Sequence, residues 1–88
     1  MGTISNFAQA LAKAQVAVHY LELDKMEIIG VSVDVYAHGF KPVINVANTA
    51  RLQQAVERGE LKAERNLING GREMASYMLH DCRVQWVV

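Results

Sequence analysis

The stretch from Glu27 to Val46 constrains the fold of this chain most, because its pattern is typical of a β-hairpin. In its first half, apolar residues alternate with small or polar ones; the apolar set is Ile29, Val31, Val33, Val35 and Ala37. This period of two predicts a strand with one buried face and one wet face. The sequence therefore predicts that the hairpin carries the core through the three valines, Val31, Val33 and Val35.

The middle of this stretch predicts the connection between the two strands. Gly39 can adopt a positive φ, and Pro42 is expected only at the first residue or at the edge of a strand. An apolar run returns at Val43 and continues to Ala47. We therefore expect the second strand of the hairpin to lie there.

Size and composition indicate one small domain spanning residues 1–88. A chain of 88 residues, 51% of them hydrophobic, is too apolar to stay disordered, yet a domain of this size buries only about 60–65% of its unfolded surface. The formal net charge is zero, so the basic surplus of a typical phosphate-binding protein is missing. Low net charge and a small core both favour self-association.

The first helix is predicted from apolar residues spaced three and four apart: Ile4, Phe7, Leu11, Ala14, Val18 and Leu21. This amphipathic stripe is expected to pack on the sheet, and Thr3 or Ser5 to cap the helix. A second apolar flank lies beside it, formed by Ala8, Ala12, Val16 and Tyr20. That flank is a candidate interface with a second subunit.

A second helix is predicted after Asn48 or Thr49, with Leu52, Ala55 and Val56 facing inward and Gly59 at its end. Residues 60–69 fit a continuing helix and a short strand equally well. Asn69-Gly70-Gly71 indicates a turn.

The last part of the chain is predicted to form two strands. Residues 72–80 have the composition of a helix, but their alternation favours a strand before a turn at His80-Asp81; the final strand follows at Arg83 to Val88. The predicted fold is an α+β two-layer sandwich in the order α-β-β-α-β-β. Its antiparallel sheet has three or four strands, covered on one face by helices, and three only if 72–80 is helical.

Three consecutive residues could each be a metal ligand: His80, Asp81 and Cys82. Because neighbouring side chains of a strand point to opposite faces, the three cannot all reach one ion. We therefore predict no metal, no cofactor and no catalytic residue, and a structural role in the core for Cys82. With one cysteine the chain has no intramolecular disulfide, and its N-terminal region resembles neither a signal peptide nor a membrane span. The expected location is the cytoplasm.

A candidate nucleic-acid contact is formed by basic residues of the second half: Arg51, Arg58, Lys62, Arg65 and Arg72. Glutamates interleave with them at positions 57, 60, 64 and 73, which favours a solvated face with ion pairs.

The sequence therefore favours a non-enzymatic domain that binds another protein, most simply as a homodimer. The interface is expected on the first helix, on the final strand with Trp86 and Val88, or on both. In size and composition the chain resembles small accessory proteins of bacteria and phages, without a motif that identifies a residue's role. A nucleic-acid-associated regulator is the alternative, and a small enzyme without a recognisable motif is the third.

Overall fold

Two helices and five strands form the part of the chain that the computed structural model describes, residues 7–36, 39–67 and 72–88. In chain order the elements are α1 Phe7–Leu23, β1 Ile28–Tyr36, β2 Gly39–Val46, α2 Ala50–Glu57, β3 Glu64–Leu67, β4 Glu73–Leu79 and β5 Cys82–Val87.

The strands form one mixed sheet in the order β1-β2-β5-β4-β3. Neighbouring pairs are antiparallel except β2 and β5, which run parallel. The α+β class is confirmed, whereas the predicted antiparallel sheet of three or four strands is wrong in strand number and direction. The final strand is not at an edge, because β5 pairs with β4 on one side and with β2 on the other.

The ambiguous segments of the second half both contain strands. Residues 72–80 contain β4, as predicted, and the unassigned stretch 60–69 contains the short strand β3. His80 and Asp81 form the predicted turn, with φ of 49° and 63°, and positive values at both central residues are those of a type I′ hairpin turn. The turn predicted at residues 69–71 lies outside the described residues.

Pro42 lies inside β2, paired with Val33, and not at the first residue of the strand. The described pairing of β2 with β5 begins one residue later, at Val43. The first half of β2 therefore has a neighbour on one side only, and a residue without an N–H is accepted there.

Helix α1 packs on the sheet through its small residues. Its buried residues are Ala10, Ala14, Ala17 and Leu21, whereas Phe7 and Leu11 of the predicted stripe are 52% and 41% exposed. Ala14 and Leu21 of the predicted stripe are thus buried as expected, but the buried face is rotated from Phe7 and Leu11 toward Ala10 and Ala17. Alanine side chains let the helix axis come closer to the sheet than larger side chains would. Ile4 and the predicted caps lie outside the described residues.

Helix α2 follows the prediction. The Thr49 side chain accepts a hydrogen bond from the Leu52 N–H at 3.2 Å, which makes Thr49 the N-cap. Leu52 is buried, and Gly59, just beyond the helix, has a φ of 76°. Neither described helix is long and apolar enough to cross a membrane.

The hairpin contributes to the core through β2 and not, as predicted, through the valines of β1. Val43, Ile44 and Val46 are all less than 4% exposed, and Ile44 joins the core cluster with Leu21 and Val84. On β1, Val31 and Val35 are 44% and 75% exposed, and Val33 is half-buried. The register places these valines on the same side as Ile44, but α1 is too close to β2 to cover them.

Candidate functional site

The candidate site is the apolar surface that α1 and β1 leave uncovered. Because α1 turns its alanines to the sheet, the larger side chains of its flank project beyond the sheet contact, above β1. We define the α1–β1 surface by three residues of the helix and three of the strand: Phe7, Leu11, Val18, Val31, Val33 and Val35. All six are half-buried or exposed, although all six are apolar.

A groove of about 370 Å³ runs between the helix and the strand within this surface. Leu11, Val18 and Val31 contribute apolar side chains to its lining, and Gln15, His19 and Glu22 contribute polar ones. The ring of Phe7, one turn before Leu11, meets that of Phe40 edge to face, with centroids 5.8 Å apart. The groove therefore combines apolar and polar side chains, as protein-binding surfaces commonly do.

The outer edge of β1 continues this surface. In the part of the chain that the structure describes, β1 pairs with β2 on one side and with no strand on the other. Tyr36 and Gly39 close the hairpin with only two residues between them, so the N–H and C=O groups of this pair bond to each other. Along an antiparallel ladder, hydrogen-bonded pairs alternate with pairs that are not hydrogen-bonded. The N–H and C=O groups of Val31, Val33 and Val35 therefore point away from β2, toward the outer edge of the sheet.

The predicted interface residues differ in accessibility. Ala8, Ala12, Val16, Tyr20 and Val88 are exposed, as the interface prediction requires. Trp86 is only 4% exposed and packs against Tyr77 with ring centroids 6.0 Å apart, so the prediction that it lies at an interface is wrong. Its strand, β5, lies in the middle of the sheet and offers no free edge.

The β4–β5 turn docks against the side of α1 away from β1. The ring of His80 stacks on that of Tyr20 with centroids 4.7 Å apart, and Lys13 lies 3.6 Å from the Asp81 carboxylate. The exposed flank of α1 is thus partly engaged within the chain at Tyr20. This contact makes the flank less available than the α1–β1 surface.

Cys82 is fully buried, and its Sγ donates to the backbone carbonyl of His80 at 3.5 Å. Burial, followed by the negative charge of Asp81, raises the pKa of the Cys82 thiol, while Lys13 lowers it to a lesser extent. A thiol held neutral is a poor nucleophile. Among the described residues, no three histidines, cysteines or acidic residues lie together as a metal site would need.

The five basic residues of the candidate nucleic-acid contact are all exposed: Arg51, Arg58, Lys62, Arg65 and Arg72. Acidic side chains lie near Arg51 and Arg65 in the fold, as glutamates lie near the basic residues in the sequence. The Arg65 guanidinium lies 3.7 Å from the Glu73 carboxylate, and Arg51 lines a cavity together with Asp24 and Glu60.

The cavity that Arg51 lines has a volume of about 240 Å³, and no pattern in the sequence indicates it. It lies between α2, β4 and the segment after α1, and Tyr77 closes one side. Burial and then the negative charge of Asp24 raise the pKa of the Tyr77 hydroxyl. Its polar residues come from distant parts of the chain, so no spacing in the sequence could indicate it.

The α1–β1 surface combines three features in one place: apolar side chains, a groove and an open strand edge. Each of them is a usual component of a protein-binding site. Comparison of the chain with protein-family models, with curated proteins and with solved structures found no match, so the candidate site rests on this geometry.

Proposed function

We propose that this chain is a small protein-binding domain, without a catalytic role, that works as a homodimer. The observation that carries the proposal is the α1–β1 surface, where apolar side chains project from a helix and from an edge strand of the same molecule. Monomeric proteins seldom expose contiguous apolar patches without using them. Long, exposed edge strands are also rare unless another chain pairs with them.

The proposed mode of action is therefore recognition through shape and apolar contact. The zero net charge of the chain is consistent with this, since two like molecules meet without net repulsion. We propose the cytoplasm as the location, because the sequence has one cysteine and that cysteine is buried as a free thiol.

Nucleic-acid binding through Arg51, Arg58, Lys62, Arg65 and Arg72 has weaker support, because acidic side chains lie close to Arg51 and Arg65. The two functions predict different responses to salt. Binding to a nucleic acid that weakens steeply as salt rises would favour the alternative. Self-association through apolar contact should change little over the same range.

Sedimentation equilibrium tests the proposal directly. At micromolar concentration we expect a mass about twice the 9.8 kDa of one chain. A well-folded monomer at millimolar concentration would contradict the homodimer and would leave the α1–β1 surface to a different protein.

A further inference from the structure

We infer that the second copy binds along the outer edge of β1, antiparallel and with the two-fold axis at Val33, joining the two five-stranded sheets into one. This inference rests on the proposed homodimer and specifies its interface. It makes the α1–β1 surface of each copy the binding site for the other.

The backbone supports antiparallel pairing of β1 with itself. The outward N–H and C=O groups belong to Val31, Val33 and Val35, and they recur at every second residue, as an antiparallel partner requires. A two-fold axis at Val33 places Val33 opposite itself and Val31 opposite Val35. Every outward group of the three valines then has a partner.

Other registers are less favourable for identifiable reasons. An axis at Asp34 would bring the Asp34 carboxylates of the two copies directly opposite each other, which is destabilising. An axis at Ser32 would place Val35 opposite Ile29, which lies at the register shift between Ile28 and Gly30 and is not regularly paired.

The register centred on Val33 also suits the face of the sheet away from the helices. There it places Asp34 of each copy opposite Ser32 of the other, where a hydroxyl can donate to a carboxylate. Within each hairpin, Asp34 already pairs across the strands with Lys41. The aspartate charge thus faces a cation on one side and a hydrogen-bond donor on the other.

The helices supply the second argument. Helix α1 lies closer to β2 than to β1 and also reaches β5, so its axis lies about one and a half strand spacings from the proposed two-fold axis. The two α1 helices would then be about 14 Å apart, wider than the roughly 8–10 Å of directly packed helices. The side chains on the β1 side of each helix, such as Leu11 and Val18, would face each other across the valines of the two β1 strands.

A single added peptide strand would pair with β1 but would bring no helix to the other side of the groove between Leu11, Val18 and Val31, whereas a second copy brings its own α1. A second copy therefore covers more of the α1–β1 surface than a peptide strand can.

Cysteine cross-linking tests the register, with Cys82→Ala as the background so that each variant carries one thiol. Across the axis the two Val33 Cα atoms would be about 5.5 Å apart, within the range that a disulfide spans. The two Val35 Cα atoms would be about 13 Å apart, beyond that range. Under mild oxidation, Val33→Cys should form a covalent dimer and Val35→Cys should not.

A pair of opposite charges tests the same contact by weakening the dimer with single substitutions and restoring it with both. Val31→Lys and Val35→Glu should each weaken the dimer about tenfold or more, because each places a charge in an apolar interface. The double variant should recover most of that loss, since each lysine would face a glutamate of the other copy. Within one chain the two positions are about 13 Å apart and cannot pair.

Val16→Lys is the matched control, at a valine that is 46% exposed on the other flank of α1. It should leave the dimer intact, and circular dichroism should show all variants folded. A dimer that is broken by Val16→Lys and kept by the β1 variants would overturn this interface while leaving the homodimer in place. A monomeric wild-type chain would overturn both, even if a foreign peptide bound to β1.

Discussion

At the scale of single residues, Tyr77 and Cys82 make the stability of the fold depend on pH in the alkaline range. Burial is the first cause of the raised pKa of both groups, and a neighbouring aspartate is the second. Each group therefore keeps its proton in the folded chain at a pH where the unfolded chain has lost it. The stability that each contributes is complete below its unfolded pKa and is lost as pH rises through its folded pKa.

We accordingly expect the free energy of unfolding to fall as pH rises above about 8.5 for Cys82 and above about 10 for Tyr77. Cys82→Ala should remove the first part of this decline, and Tyr77→Phe should flatten the part above pH 10. Urea unfolding at a series of alkaline pH values measures both slopes. Unchanged slopes in the two variants would mean that other groups cause the alkaline loss.

Residue patterns predict local features well where one residue decides them. The Thr49 cap, the φ of Gly59 and the turn at His80 and Asp81 follow from short-range rules that hold regardless of the rest of the fold. The valines of β1 show where such rules end. Their alternation indicates a face that needs cover, but it is the same whether α1 of the same chain or another molecule supplies that cover.

At the scale of elements, α1 shows why a sequence predicts the buried face of a helix only in part: Ala14 and Leu21 are buried as expected, whereas Phe7 and Leu11 are not. Hydrophobicity ranks Leu11 above Ala10, but the buried face is the one that lets the helix approach the sheet, and Ala10, Ala14 and Ala17 permit the closest approach. The choice depends on the distance between two layers. A helical sequence by itself does not contain that distance.

The same substitution on two sides of α1 tests this explanation. Ala17 is 0% exposed, so Ala17→Leu should force the helix away from the sheet and cost about 1–3 kcal/mol. Ala12 is exposed, so Ala12→Leu should change stability by about 0.5 kcal/mol or less. Thermal unfolding of both variants is the measurement, and equal losses would show that the face is assigned wrongly.

At the scale of the whole molecule, the parallel pairing of β2 with β5 could not be predicted. Val43 pairs with Arg83 across forty residues of sequence, and nothing in either strand specifies the other. The candidate surface was missed for a related reason. It arises only when β1 is placed at the edge of the sheet and α1 above β2, and both placements follow from this long-range pairing.

A homodimer also changes how the whole molecule unfolds. Because dissociation accompanies unfolding, the melting temperature should rise with protein concentration. For two chains of 88 residues, a tenfold increase changes the free energy by about 1.4 kcal/mol and should raise the melting temperature by about 3–6 °C. Scanning calorimetry across such a series tests this, with Val31→Lys as the variant expected to melt at a lower temperature than the wild type at each concentration. A wild-type melting temperature independent of concentration would contradict dimeric unfolding.

The central position of β5 has a consequence for synthesis on the ribosome. The β1–β2 hairpin is made early and can form while the chain is still growing, but β5, which joins that hairpin to β4, is made after every other described strand. Until it emerges, β2 lacks its inner neighbour, and the nascent hairpin exposes two unpaired edges instead of one. The growing chain is therefore most prone to association with its neighbours on a polysome before β5 is complete.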